Sequence, residues 1–208
     1  MSEYFVPAGS GEAEFVEKRS SFLGHVRFVE TEDAAREFIN EMKKKHYDAR
    51  HNCWCYILRG GAVRYSDDGE PQGTAGLPML EVFKREGVEN VVCVVTRYFG
   101  GVLLGTGGLL RAYTKSAKDA LDAAGIAAVR RWVKLEAACP YSLLERMKTE
   151  CLALEGAVSD VEYGADVRMT FLLPESRSEE FQARVTELSA GQSSAQAVGE
   201  ELMPVRVK

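Results

Sequence analysis

Thr96-Arg-Tyr-Phe-Gly-Gly-Val-Leu-Leu-Gly-Thr-Gly-Gly-Leu-Leu-Arg-Ala-Tyr113 joins a strand-like run, Val91 to Val95, to a helix-like run, Leu109 to Ala124. It holds five glycines, two arginines and two tyrosines. Glycine serves where backbone takes positive φ or approaches something closely. A glycine-rich turn that feeds a helix also presents unpaired backbone N–H groups, which suit a phosphate or another anion. The β-branched run ahead of it reads as a central buried strand. Beyond it Leu110, Tyr113, Ala117, Ala120, Leu121 and Ala124 share one helical face, and Gly125 ends the helix. The stretch therefore places an α+β core around a turn suited to nucleotide or nucleic-acid contact.

Working back towards the N-terminus, Glu12 to Lys18 and Phe22 to Val29 read as strands. Thr31 is an N-cap, with Glu32 and Asp33 in the first turn, where acids suit the helix dipole. Ala34, Ala35, Phe38, Ile39 and Met42 repeat at helical spacing, and Lys43 to Lys45 complement the C-terminal end. Asn52 to Leu58 is a strand that Gly60-Gly61 turns into a short partner, Ala62 to Tyr65. Ser66 to Gly76 is a loop by composition, and a helix follows with Pro78 in its first turn and Gly87 as its stop. These elements make a first domain of residues 1–129.

Residues 130–208 read as a second domain. Val133 to Cys139 is strand-like, and Ser142-Leu-Leu-Glu145 is a capping-box pattern ahead of a helix. Ala157 to Tyr163 and Asp166 to Leu173 form a hairpin around Gly164, Phe181, Val185 and Leu188 mark a helix, and Leu202 to Val207 is a last strand. The order β-α-β-β-α-β is that of a ferredoxin-like domain.

The net charge is −5, all of it carried by residues 132–208, since residues 1–131 hold equal numbers of basic and acidic side chains. A uniformly basic nucleic-acid binder is excluded, so anion binding must come from a local patch in the first domain. The five cysteines show no paired spacing, which fits thiols in a reducing cytoplasm better than disulfides. Cys53 and Cys55 point to one face of their strand. The opening residues lack the basic and apolar regions of a signal peptide, and no apolar run approaches the roughly 20 residues that span a membrane. Without further Cys or His at ligand spacing, no metal site and no cofactor is expected.

The candidate anion or nucleic-acid site comprises Arg97, Tyr98, Gly100, Gly101, Gly105, Gly107, Gly108, Arg111 and Lys115. Arg97 and Arg111 would supply charge to a phosphate, and Tyr98 would stack on a base. The alternative is a tight strand-to-helix turn in which glycine permits close packing. Tyr113 belongs to the apolar face, so core packing is its expected role. A secondary set, His51, Asp67, Asp68 and Glu70, has the donors of a general base and of a Mg²⁺ site. Asp-Gly and Glu-Pro are also turn chemistry, the reading preferred for the acidic members. No nucleophile elbow and no Walker lysine occurs, so no catalytic residue is assigned.

Ser66-Asp-Asp-Gly-Glu-Pro-Gln-Gly-Thr-Ala-Gly-Leu-Pro, followed by the glycine-rich stretch quoted above, closely resembles the IMPACT family in its bacterial, YigZ-like form. Glu17-Lys-Arg-Ser-Ser-Phe and His51-Asn-Cys resemble the same pattern, and the likeness covers about Phe15 to Ala124. It implies a first domain of the ribosomal-protein-S-five second-domain type, with helices on one side of a mixed sheet. It implies a second domain similar to the last domain of elongation factor G. The function implied is regulation of translation in the cytoplasm by a non-enzymatic factor that binds RNA, the ribosome or a ribosome-associated protein. An enzyme acting on a phosphorylated small molecule or nucleotide is the alternative, and a protein-interaction module using the acidic second domain is a third.

Overall fold

The computed structural model describes residues 3–207, and in chain order its elements are β1 (Tyr4–Pro7), β2 (Gly11–Glu17), β3 (Ser20–Phe28), α1 (Glu32–Lys45), β4 (His51–Ile57), β5 (Val63–Ser66), α2 (Gly76–Glu86), β6 (Val91–Tyr98), α3 (Gly105–Ala124), β7 (Ile126–Cys139), α4 (Leu144–Ala153), β8 (Ala157–Tyr163), β9 (Val167–Pro174), α5 (Glu175–Leu188) and β10 (Gln196–Arg206). The chain divides into two units: Tyr4–Ala128 with residues 204–207, and Val129–Met203 with Glu3. Among the described residues no helix is long and apolar enough to cross a membrane.

In the larger unit the strands run β2-β3-β6-β4-β5, and every pairing is antiparallel. The β-branched run is thus the middle strand. Its side chains alternate, with Val91, Cys93 and Val95 in one core and Val92 and Val94 in another. The first core is closed by α2 and α3, through Met79, Phe83, Tyr113, Ala117 and Leu121. The second is closed by Phe38, Ile39 and Met42 of α1, whose N-cap Thr31 accepts from the Ala34 N–H at 3.2 Å. This corrects the expectation of a mixed sheet with helices on one side. Both faces of β6 are apolar and both must be covered. On α3 the first buried residue is Leu109, in the second turn, while Leu110 is exposed.

The helix α3 lies close against β2 and β3. A Cβ on Gly24 would stand 2.5 Å from the Ser116 carbonyl oxygen, and one on Gly11 would stand 2.1 Å from that of Ala120. Only glycine admits such an approach. The facing side of α3 carries Ser116, Ala117, Ala120 and Ala124, all buried.

In the smaller unit the elements follow the order β-α-β-β-α-β, with β9 between β7 and β8 in antiparallel register and β10 also pairing β7. Leu135, Met169, Phe171 and Leu173 on one face of the sheet meet Met147 and Cys151 of α4 and Phe181 and Val185 of α5. The rings of Phe171 and Phe181 lie 4.8 Å apart at 60°. The capping box read at Ser142 and Glu145 does not form. A 3₁₀ turn, Tyr141–Leu143, precedes α4, so Ser142 lies inside helical backbone and Leu143 occupies the cap without a side-chain bond. The last strand begins at Gln196, earlier than its composition suggests.

On the α1 side of the larger sheet, His25 is 5% and His46 9% exposed, with ring centroids 5.4 Å apart. Burial lowers the pKa of both. For His25 the Glu12 carboxylate, 3.3 Å from Nδ1, partly opposes this, while Lys45 and His46 add to the lowering. For His46 Lys45 adds to the effect, and Asp48 and Glu12 oppose it. A histidine whose folded pKa lies below its unfolded value stabilises the fold above the unfolded value, near pH 6.5. That contribution is lost as the pH falls towards the folded pKa, because the unfolded chain then binds more protons.

Two predictions concern the fold. Gly24→Ala should cost about 1–3 kcal/mol by overpacking α3 against β3, read as a lower urea midpoint with an unchanged slope. The urea midpoint of the parent chain should fall between pH 7 and pH 5, and His25→Gln should shrink that difference.

Candidate anion-binding site

The pairing of β4 with β6 sets His51 opposite Arg97, both on the face turned towards α2 and α3. Arg97 would carry an uncompensated charge into this interior were it not for Glu70 from the loop between β5 and α2. The Arg97 guanidinium donates through Nη1 to Glu70 Oε1 at 2.7 Å, and the Tyr113 hydroxyl donates to the same oxygen at 2.8 Å. His51 Nδ1 lies 2.8 Å from the Asp68 carbonyl oxygen. A carbonyl only accepts, so Nδ1 donates to it, and Nε2 lies 4.0 Å from Glu70 Oε2. The side chains of His51, Glu70 and Arg97 are 13%, 3% and 7% exposed. Burial holds the Tyr113 hydroxyl and the nearby Cys53 thiol far above their ordinary pKa values, so both stay protonated donors.

His51, Glu70 and Arg97 line a cavity of about 360 Å³, and Arg50, Phe99, Leu103, Leu104, Gly105 and Thr106 are among its other lining residues. The helix α3 begins on that lining. Its N-cap, Leu104, offers no side-chain hydrogen bond, and Gly105 takes φ 72°, the left-handed conformation that lets β6 turn sharply into the helix. The first four N–H groups of a helix have no partner within it, and here no side chain caps them. Phe99 is 42% exposed, with its ring centroid 5.5 Å from Arg97 Cζ.

The two sets of residues read separately in the sequence thus contribute to one cavity: Arg97 and Gly105 from the first, His51 and Glu70 from the second. The others lie elsewhere. Tyr98 points to the opposite face of the sheet, because successive strand residues alternate. Its hydroxyl is bound to His46 Nδ1 at 3.0 Å and to Asp48 Oδ1 at 3.1 Å, so it is not the stacking platform. Gly100 is a packing residue: a Cβ there would stand 2.0 Å from the Arg19 carbonyl carbon, and its N–H donates to the Ser20 hydroxyl. Gly101 takes φ 84° in the turn before α3. Gly107 and Gly108 fall in the first turn of α3 without lining the cavity. Lys115 is held by Asp119 at 2.8 Å, and Lys118 beside it by Asp122, so neither offers free charge, while Arg111 is exposed.

The acidic residues are engaged by the fold. Asp67 accepts from the backbone N–H groups of Gly73, Ala75 and Gly76 at 2.8, 3.0 and 2.8 Å, capping α2 from a distance. Asp68 accepts from the Asn52 N–H and from Lys43, each at 2.8 Å. Turn chemistry therefore describes both better than cation binding does, and among the described residues no cluster of three or more His, Cys, Asp or Glu is placed to hold a metal ion. Arg50 and Phe99 were not singled out in the sequence. The exposure of Phe99 follows from the chain leaving the sheet after Tyr98, which no local pattern announces.

Two α+β units built on antiparallel sheets, one with a cavity where its longest helix starts, define the class of protein. A family model described as the Impact N-terminal domain matches residues 18–121, and one described as a domain of unknown function, DUF1949, matches residues 138–192. The chain is 36% identical to "IMPACT family member YvyE" of Bacillus subtilis (strain 168), over 93% of this chain and 90% of that protein. It is 32% identical to "IMPACT family member YigZ" of Escherichia coli (strain K12), over 96% of this chain and 100% of that protein. A solved structure described as the crystal structure of an hypothetical protein matches with a TM-score of 0.60 at 30% identity, covering 96% of this chain and 98% of the other. The chain belongs to the IMPACT family.

Breaking a buried ion pair from one side leaves the other charge uncompensated, at a cost of about 3–5 kcal/mol. Glu70→Gln should therefore lower stability by about that amount, read by urea denaturation.

Proposed function

We propose that this chain is a translation-associated regulatory factor that binds RNA, alone or within the ribosome, at the start of α3. One observation carries this reading: an α3 terminus without a side-chain cap lines the same cavity as Arg97 and His51, with Phe99 exposed on its lining. Helix N–H groups and the guanidinium group of Arg50 on the lining receive a phosphate, and the Phe99 ring receives a base, as aromatic residues do in single-strand binders. On this reading residues 1–129 are a domain of the ribosomal-protein-S-five second-domain type, with α1 added on its second face. Residues 130–208 are a ferredoxin-like domain akin to the last domain of elongation factor G. The β-α-β-β-α-β order, with β9 between β7 and β8 and with β10 pairing β7, supports the second assignment.

The size of the cavity favours one second reading, an enzyme for a phosphorylated small molecule, since ligand pockets begin near ~300 Å³. A thermal-shift series with nucleotides separates the two. Ligand at ~100 times its dissociation constant should stabilise the chain by about 2.7 kcal/mol if the site serves small molecules.

For the leading reading, filter binding of single-stranded RNA to the full chain should weaken steeply with salt, as phosphate contacts require. Phe99→Ala should lose about 1–3 kcal/mol of binding. Absence of binding at low salt, where phosphate contacts are strongest, refutes the proposal.

A further inference from the structure

Resting on the nucleic-acid reading above, we infer that the cavity receives the terminal phosphomonoester of a nucleotide, presented by the end of an RNA strand, and not a phosphodiester within the strand. The polar groups are recessed, with Arg97 and Glu70 less than a tenth exposed, whereas Phe99 and Leu103 on the lining are 42% and 83% exposed. An internal phosphodiester carries a nucleoside on each side. Bringing its oxygens to Arg97 would force both sugars into about 360 Å³ walled in part by Pro71, Leu104 and Leu109. A terminal phosphate enters leading, with three free oxygens and one nucleoside behind it.

Two independent features of the cavity match such a group. Arg97 commits Nη1 to Glu70, yet its Nε is buried without a hydrogen-bond partner. The N-terminal amides of α3 lack a side-chain cap on the same lining. Glu70 offsets the charge of Arg97, so the helix amides and Arg50 decide that an anion is favoured over a cation. His51 Nδ1 is engaged by the Asp68 carbonyl oxygen, so Nε2 is the ring nitrogen on the lining that a ligand oxygen can meet.

The test is fluorescence anisotropy with the full chain and one short oligoribonucleotide, labelled internally, in four forms: 5′-phosphorylated, 3′-phosphorylated, hydroxyl at both ends, and circular. Adenosine 5′-monophosphate is the competitor. A phosphorylated end should bind at least about tenfold tighter than the hydroxyl-ended and circular forms, equivalent to 1.4 kcal/mol. Thr106→Asp should abolish that preference, because it sets a carboxylate in the first turn of α3. The same carboxylate suits the helix dipole, so the variant should melt no lower than the parent. Equal binding of circular and phosphorylated forms overturns the inference and leaves the RNA reading standing. A preference that persists unchanged in a well-folded Thr106→Asp variant overturns it as well. Binding of the mononucleotide with no binding of any oligomer overturns the inference together with the RNA reading and favours the small-molecule reading. Binding of neither removes both.

Discussion

A single carboxylate oxygen, Glu70 Oε1, receives both the Arg97 guanidinium and the Tyr113 hydroxyl inside the larger unit. Glu70 comes from a loop, Arg97 from the end of the middle strand and Tyr113 from the third turn of α3. Ionised groups are tolerated in such a place only when paired and hydrogen-bonded, because leaving water is expensive for each. The pair is therefore a constraint before it is a site. It fixes the loop of residues 66–76 over the sheet, and Asp67 of the same loop holds the start of α2 through three backbone amides. A segment that composition alone reads as turn is in this way tied to β6, α2 and α3.

That constraint also alters the meaning of the arginine. In the sequence Arg97 stands beside glycines and reads as free charge for a phosphate. In the fold it is already neutralised by Glu70, so the positive groups left on the lining are the uncapped helix amides and Arg50. Lys115 passes through a similar change, since it and Lys118 are bound by carboxylates one turn further on. Such exposed pairs add little to stability and leave little net field.

Much of the architecture was legible because it is written locally. Thr31 with its acidic first turn, the spacing of Phe38, Ile39 and Met42, and the β-branched run at Val91 each depend on neighbours within a few residues. The order of elements in the smaller unit was legible for the same reason. What was not legible depends on distant partners. The opposition of His51 and Arg97 is a register, and register follows from whole-strand pairing. The coverage of both sheet faces follows from where α1 is placed. The 3₁₀ turn at Tyr141 displaced a capping pattern that was correct as a pattern. Tyr98 was misread for a simpler cause: adjacency in sequence was taken for adjacency in space, although a strand sends neighbours to opposite sides.

The glycines at positions 11 and 24 seat the C-terminal half of α3, from Ser116 to Ala124, on the sheet backbone itself. A rod clamped along its rear half cannot slide lengthwise without breaking those close contacts. Any displacement of the leading end would have to be taken up by the Phe99 to Leu104 connection and not by sliding of the helix.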